Sequence, residues 1–449
     1  MGSAACRVRT MTDAGRSCTQ HRIRMLFFPR ESFPTDRVRL NVLFGRELVQ
    51  RGHEIDLVMQ ARNGAVPAGR HDWFGRSVLV GRTTDRQGML GGITRVLLGL
   101  MHDLRSLSRA HRSSYDSIMV SDKYLLASIA CVVARRRGMA FCFWLTYPYH
   151  QAQVTLAREG LAKSRTLARL RGHATEALLF RWILPRCDHV FVQSPRMARD
   201  FAAHNVPLTR MTPILTGIDL IELPAEPVVR TRSSRNPVTI GYLGTLARHR
   251  RLDVLVDTLD ELGKRGVQAR LLLIGDGASP VDRQLIEQRA RDLGLESRLQ
   301  ITGLLPRAAA LELIQTVDVC VSPFRPSPSL DVASPTKLVE YLALGLPVVA
   351  NTHPEQSAVL HESRAGVCVP WGARHFARGI QWLSERSDAE LAAMGRRGRA
   401  WVASNRSYAS IGDSFERSYF DSLKQRAHDE IGRCHLPVRE DERKEGPAQ

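Results

Sequence analysis

The segment Asp331 to Ala350 carries residue types and spacings suited to gripping a phosphorylated ligand. Ser334 has a capping side chain, and Pro335 fits a first helical position, so the spacing starts a helix there. Lys337 then falls in the first turn, where a cation opposes the helix dipole at a cost of about 0.3–1 kcal/mol. A capping box would carry Glu or Gln at that place. A bound anion reverses the sign, because free N–H groups and the dipole both attract phosphate. Glu340 follows one turn later on the same face, where a carboxylate can accept from ribose hydroxyls. An ordinary helix with a solvated Lys–Glu pair has the same spacing, and such pairs are weak.

A second candidate is Gly244-Thr245-Leu246-Ala247-Arg248-His249-Arg250-Arg251. A glycine at a strand end permits close backbone approach, and arginines offer planar, bidentate recognition of phosphate. The bland alternative is a solvated basic loop. A third is the run Leu145-Thr146-Tyr147-Pro148-Tyr149-His150, which follows an apolar stretch. His150 can hydrogen-bond a sugar hydroxyl or serve only in the structure.

These segments need a scaffold, and the pattern supplies one. An apolar strand at Ile23–Phe28 precedes a helix over about Val38–Arg51, with Gly52 at its end and a second strand from Glu54. Further strands fit 117–120, 141–145 and 189–192. A second series begins at Val238–Leu243 and continues at 270–274, 299–302, 317–322 and 346–350. Strands separated by helices imply two Rossmann-like, doubly wound parallel-sheet domains. The expected divisions are a disordered leader 1–20, an N-terminal domain 21–222, a linker 223–236, a C-terminal domain 237–402, crossover helices 403–424 and a disordered tail 425–449.

Two domains suit a chain of 449 residues, and 43% hydrophobic with 24% charged residues suits a globular protein. The eight cysteines form no C-x-x-C pair, so neither zinc nor redox chemistry is indicated, and buried free thiols are expected. No apolar run is long enough to span a bilayer. The net charge of +19 attracts polyanions. No nucleic-acid-binding module is recognisable, so nucleic acid is not expected as a partner. A nicotinamide dehydrogenase is disfavoured because no G-x-G-x-x-G follows either first strand.

Taken together, the motifs resemble those of family 4 glycosyltransferases. Ile240–Leu246 with Arg250-Arg251-Leu252-Asp253 resembles the family's phosphate-binding loop, and Leu271–Gly277 its next strand and turn. Ile301-Thr302-Gly303-Leu304 is similar to its base-binding loop, and Ser334–Ala350 to its donor-site helix. In the N-terminal half, Arg46–Ile55, Cys187–Ser194 and Thr216–Asp219 resemble the first helix and second strand and the approach to the interdomain hinge. The similarity covers about Arg22 to Leu423.

The resemblance implies the GT-B fold: two Rossmann-like domains facing a central cleft, with a C-terminal helix crossing back to the first. It implies a retaining transfer of a sugar from a nucleoside-diphosphate sugar to an acceptor hydroxyl, the saccharide or lipid-linked acceptor held by the N-terminal domain. Arg250, Lys337 and His150 take the catalytic roles. Gly244, Thr245, Arg248, Gly303, Leu304, Ser334, Pro335, Thr336 and Glu340 contact the donor nucleotide, and Tyr147 the acceptor. No DxD motif is visible, so no obligatory metal or other cofactor is expected.

Three features depart from the family pattern. Its Glu-x7-Glu pair is incomplete, because Val332 stands eight residues before Glu340, and adjacent Asp331 is the only candidate substitute at the donor sugar. Thr245 replaces a common arginine. The first loop, Pro29–Arg37, lacks a glycine pair.

The stretches 92–112 and 156–186 mix Leu, Ile and Trp with arginines, as in basic amphipathic helices. Ordinary domain helices have the same composition. The membrane alternative implies a cytoplasmic protein held peripherally at the anionic inner face of a membrane, in cell-surface polysaccharide or glycolipid assembly. The rival functions are a non-catalytic GT-B nucleotide-binding scaffold and a sugar-nucleotide epimerase.

Overall fold

The computed structural model describes residues 22–434 except 63–65, 87, 159, 161, 163, 225–236 and 278. The expected leader, nearly all of the expected linker, and residues 435–449 lie outside the described residues.

The N-terminal sheet comprises β1 (Arg24–Phe28), β2 (Ser32–Phe33), β3 (Glu54–Ala61), β4 (Gly69–Trp73), β5 (Arg76–Gly81), β6 (Ser117–Ser121), β7 (Ala140–Leu145), β8 (His189–Val192) and β9 (Met211–Pro213). Its order is β4-β5-β3-β1-β6-β7-β8-β9, with β2 on β3. Only the β4–β5 pairing is antiparallel. The C-terminal sheet comprises β10 (Val238–Leu243), β11 (Ala269–Ile274), β12 (Leu299–Ile301), β13 (Val319–Ser322), β14 (Val348–Asn351) and β15 (Val367–Val369). It is wholly parallel, in the order β12-β11-β10-β13-β14-β15. Helices cover both faces, so the central strands are buried end to end, as β7 is. Each sheet reverses direction beside its first strand, β1 or β10, and such switch points open crevices at the strands' C-terminal ends.

The loops at those ends meet. Tyr147, after β7, shares a hydrogen bond with Ser329, after β13, and lies near Arg250, after β10. Val332, 1% exposed, packs into the N-terminal domain's core with Met197 and Phe201. The position where the family pattern has an acid is thus an apolar wedge between the domains.

The last helix, Tyr408–Cys434, crosses back as the fold requires. Phe415 stacks on Phe191 at 4.7 Å, and the buried Tyr419 hydroxyl donates to Ser117 Oγ at 2.7 Å. The helix continues ten residues past the expected end of the crossover. The connector beside it is pinned at several points. Ile218 N donates to Arg406 O at 2.8 Å, and Asp219 pairs with Arg46 at 2.6 Å. Arg406 pairs with Glu355 at 2.8 Å, both buried. Burial pushes the Glu355 carboxyl up to about 7, against the pull of Arg406.

Candidate functional site

Three glycines bring the C-terminal loops into backbone contact. Gly244 has φ +143°, and a Cβ there would stand 2.3 Å from Lys337 Cε. Gly275 has φ +140°, and its Cβ would stand 2.2 Å from Gly244 O. Gly303, with φ +74°, bridges to Gly275. A side chain at 275 would force these loops apart, and one at 244 would displace Lys337, while the positive φ at both positions also favours glycine.

The loop after Gly244 is anchored by buried Leu246, whose N–H donates to Asp276 O at 2.9 Å. Thr245 and Arg248 are exposed, and the Arg248 N–H donates to Asp282 Oδ1 at 3.0 Å. Arg250 donates to the Tyr242 hydroxyl, while its buried Nε has no partner.

The helix Thr336–Ala343 begins one residue later than its sequence suggests. Pro335 is the cap position, and no side chain caps the N-terminus. Ser334 is buried and turned to the connector instead: its hydroxyl accepts from Thr216 N and donates to Glu355, each at 3.0 Å. Its expected capping role is therefore corrected. No side chain accepts from the first N–H groups of the helix, which favours an anion there.

Lys337 lies over Gly244, its Nζ 5.4 Å from the Tyr242 ring centroid. Burial, then the neighbouring Arg250, lowers its ammonium to about 7, with Glu340 pulling the other way. Glu340, 7% exposed, accepts from Arg307 Nη1 at 2.9 Å. The next residue, Tyr341, accepts from Leu243 N at 2.9 Å and locks the helix to β10. Leu304, 82% exposed, stands at the tip of the Gly303 loop. Among the described residues no group of His, Cys, Asp and Glu could hold a metal ion.

Across the crevice, Asp122 follows β6 with φ +54°. Its carboxylate accepts from Thr146 N at 3.1 Å and from the Thr146 hydroxyl, and burial raises it to about 6. The first loop sits beside it: Arg39 pairs with Glu31 at 2.9 Å, and the Arg30 guanidinium lies 3.9 Å from the Tyr149 ring centroid.

Comparison with known proteins agrees with this geometry. Residues 38–222 match the family model described as Glycosyltransferase Family 4, and residues 237–386 that described as Glycosyl transferases group 1. The chain belongs to the family 4 glycosyltransferases. It is 27% identical over 191 residues to the putative colanic acid biosynthesis glycosyltransferase WcaL of Escherichia coli K12, covering 41% of this chain and 45% of that protein. The match thus spans about half the length of that curated relative. In fold it is similar to the sucrose-phosphate synthase of Thermosynechococcus elongatus, with a TM-score of 0.66 at 16% identity over 90% of this chain and all of that one. It is also similar to Anabaena HepE in complex with UDP and glucose, with a TM-score of 0.60 at 16% identity over 88% and 99%.

Of the residues singled out in this family 4 chain, the structure groups Gly244, Arg250, Lys337 and Glu340, with Thr336 at the open helix end, Thr245 and Arg248 on the adjoining loop, and Gly303 joined through Gly275. Tyr147 reaches this group from the other domain. His150 does not: it is 2% exposed, with Phe180 and Phe201 around its ring and both nitrogens unpartnered. That enclosure away from the group corrects the expected contact with a sugar hydroxyl, and burial also lowers the imidazole to about 4. Asp331 closes the short helix Pro328–Asp331, and its Oδ1 accepts from Ser327 N at 3.3 Å. Sequence reasoning missed Tyr242, Tyr341, Arg307 and Asp122. Asp122 follows an apolar strand at a crevice position, which was the available signal.

Proposed function

We propose that this chain is a retaining glycosyltransferase that moves a sugar from a nucleoside-diphosphate sugar to an acceptor hydroxyl in cell-surface polysaccharide or glycolipid assembly. The observation that carries the reading is Lys337 folded over Gly244, beside Arg250 and the uncapped start of Thr336–Ala343. Two cationic side chains and a row of free N–H groups converge where a diphosphate would sit. As the glycosidic bond breaks, negative charge grows on the leaving diphosphate, and preorganised donors stabilise it without reorganisation. Glu340 receives the ribose, and the Gly303–Leu304 loop the base. The diphosphate itself takes the acceptor's proton on the same face, which fits the lack of a paired nucleophilic carboxylate. HepE's complex with UDP and glucose and WcaL's assignment to colanic acid biosynthesis support this reading.

The N-terminal domain holds the acceptor, with Tyr147, Asp122 and Arg30 at the strand ends. The protein works peripherally on an anionic leaflet. Among the described residues no helix is long and apolar enough to cross a membrane.

A thermal-shift screen of UDP, GDP and their sugars, followed by turnover assays with the best donor, tests the site. Lys337→Ala and Glu340→Ala are each expected to lower turnover, Lys337→Ala by about 100-fold as for loss of one transition-state donor. Near wild-type rates in both variants would refute the assignment.

A further inference from the structure

Arg307 has no role in the reading so far, yet its guanidinium pairs with two carboxylates, Glu340 in the donor site and Glu222 in the connector. It opens the helix Arg307–Ile314, close behind Gly303 and Leu304. Its Nη1 donates to Glu340 Oε1 at 2.9 Å, and its Nε donates to Glu222 Oε2 at 3.3 Å. Glu222 belongs to the connector turn Leu220–Glu222. One guanidinium therefore joins the candidate ribose carboxylate to the interdomain connector, from a residue four positions after Gly303.

We propose that Arg307 is a positioning residue that sets the Glu340 carboxylate for the two ribose hydroxyls of the nucleotide donor. This rests on the donor-site reading above. The Glu340 side chain is only 9% exposed, so an unpaired charge there would be costly and its direction would drift. Arg307 engages Oε1, and the second oxygen can accept from a hydroxyl. Lys337 lies one turn away but extends over Gly244 and Tyr242, so it does not hold the carboxylate from the base side. Glu222 steadies the guanidinium from the far end. Two carboxylates reached through separate nitrogens call for arginine's rigid fork rather than a lysine point charge.

A structural ion pair and a ribose-positioning one differ in a measurable way. Affinities of wild type, Arg307→Gln and Arg307→Lys are measured by titration calorimetry for UDP and GDP, each against its 2′,3′-dideoxy counterpart. Arg307→Gln should weaken binding of the preferred ribonucleotide about tenfold, as for loss of order at one charged hydrogen bond. It should weaken the dideoxy form less than about twofold, because the hydroxyls that Glu340 would meet are absent. Arg307→Lys should fall between wild type and Arg307→Gln on the ribonucleotide alone, and it carries the test if the glutamine variant does not fold. Equal weakening of ribo and dideoxy forms, or no weakening of either, overturns the proposal. If wild type binds none of the four nucleotides, the donor-site reading falls first and this inference with it.

Discussion

Lys337 joins the site's electrostatics to an observable proton. Burial and Arg250 lower its ammonium from the ordinary lysine value to about 7, so near pH 7 the empty site is a mixture of charged and neutral lysine. A diphosphate placed beside it favours the charged form and raises its affinity for the proton. Binding above pH 7 must then take up a proton. Nucleoside-diphosphate affinity should fall by up to about tenfold per pH unit between 7 and 9. Titration calorimetry at pH 8 in HEPES and in Tris should give different apparent enthalpies for wild type, and matching ones for Lys337→Met. Equal enthalpies for wild type would show that Lys337 keeps one charge state throughout. The stability linkage runs the other way. A lysine lowered in the folded state binds fewer protons than the unfolded chain between pH 7 and its ordinary value. Its contribution therefore improves as pH rises through that window and is poorest below 7.

At the scale of elements, the wedge formed by the short helix Pro328–Asp331 and Val332 explains the incomplete acidic pair. Val332 lies in the N-terminal domain's core, beside the ring cluster around Phe201. A carboxylate there would lose its water with no partner in view. Restoring the family's residue with Val332→Glu should therefore harm this chain. Stability should fall by about 3 kcal/mol or more, seen as a lowered melting temperature, whereas Val332→Ile should stay close to wild type. A melting temperature unchanged in Val332→Glu would place Val332 outside the interface. This wedge was illegible in sequence because a lone valine between Asp331 and Ala333 has no periodicity to mark its partner. The central strands were legible because continuous apolar runs such as β7 and β14 leave little choice of environment. The β4–β5 hairpin was not, since Gly69-Arg70-His71-Asp72-Trp73 forms a polar edge without an apolar run. The site divided in the same way. Gly244, Lys337 and Glu340 came from local spacing and family resemblance. The pairing of Glu340 with Arg307, and Ser334's turn toward Thr216, depend on residues far apart in the chain.

Over the whole molecule, exposed large apolar side chains recur on three helices of the N-terminal domain. Leu90, Ile93, Val96, Leu97 and Met101 are exposed on the helix Gly88–Ser108, with Leu90 73% exposed. The helices Tyr124–Arg136 and Arg165–Leu178 add Leu125, Leu167 and Leu170, and the three helices are joined by contacts through the middle one. An apolar surface of this kind marks an interaction site. Exposed Arg95, Arg105, Arg165 and Arg169 accompany it, and the chain's net charge is +19. Apolar residues with interleaved arginines fit an anionic leaflet better than a neutral protein partner, because each basic residue near such a surface adds about 1 kcal/mol. The chain should co-sediment with vesicles containing phosphatidylglycerol at low salt, and much less with pure phosphatidylcholine. Raising salt to about 0.5 M should release most of it, since screening shortens the reach of surface charge. The double variant Leu90→Glu/Leu97→Glu should lose vesicle binding while keeping nucleotide affinity, because both side chains are exposed and neither is among the donor-site residues. Binding that ignores salt and lipid charge would remove the leaflet as the occupant. Loss of nucleotide affinity in the double variant would mean that this face also supports the crevice.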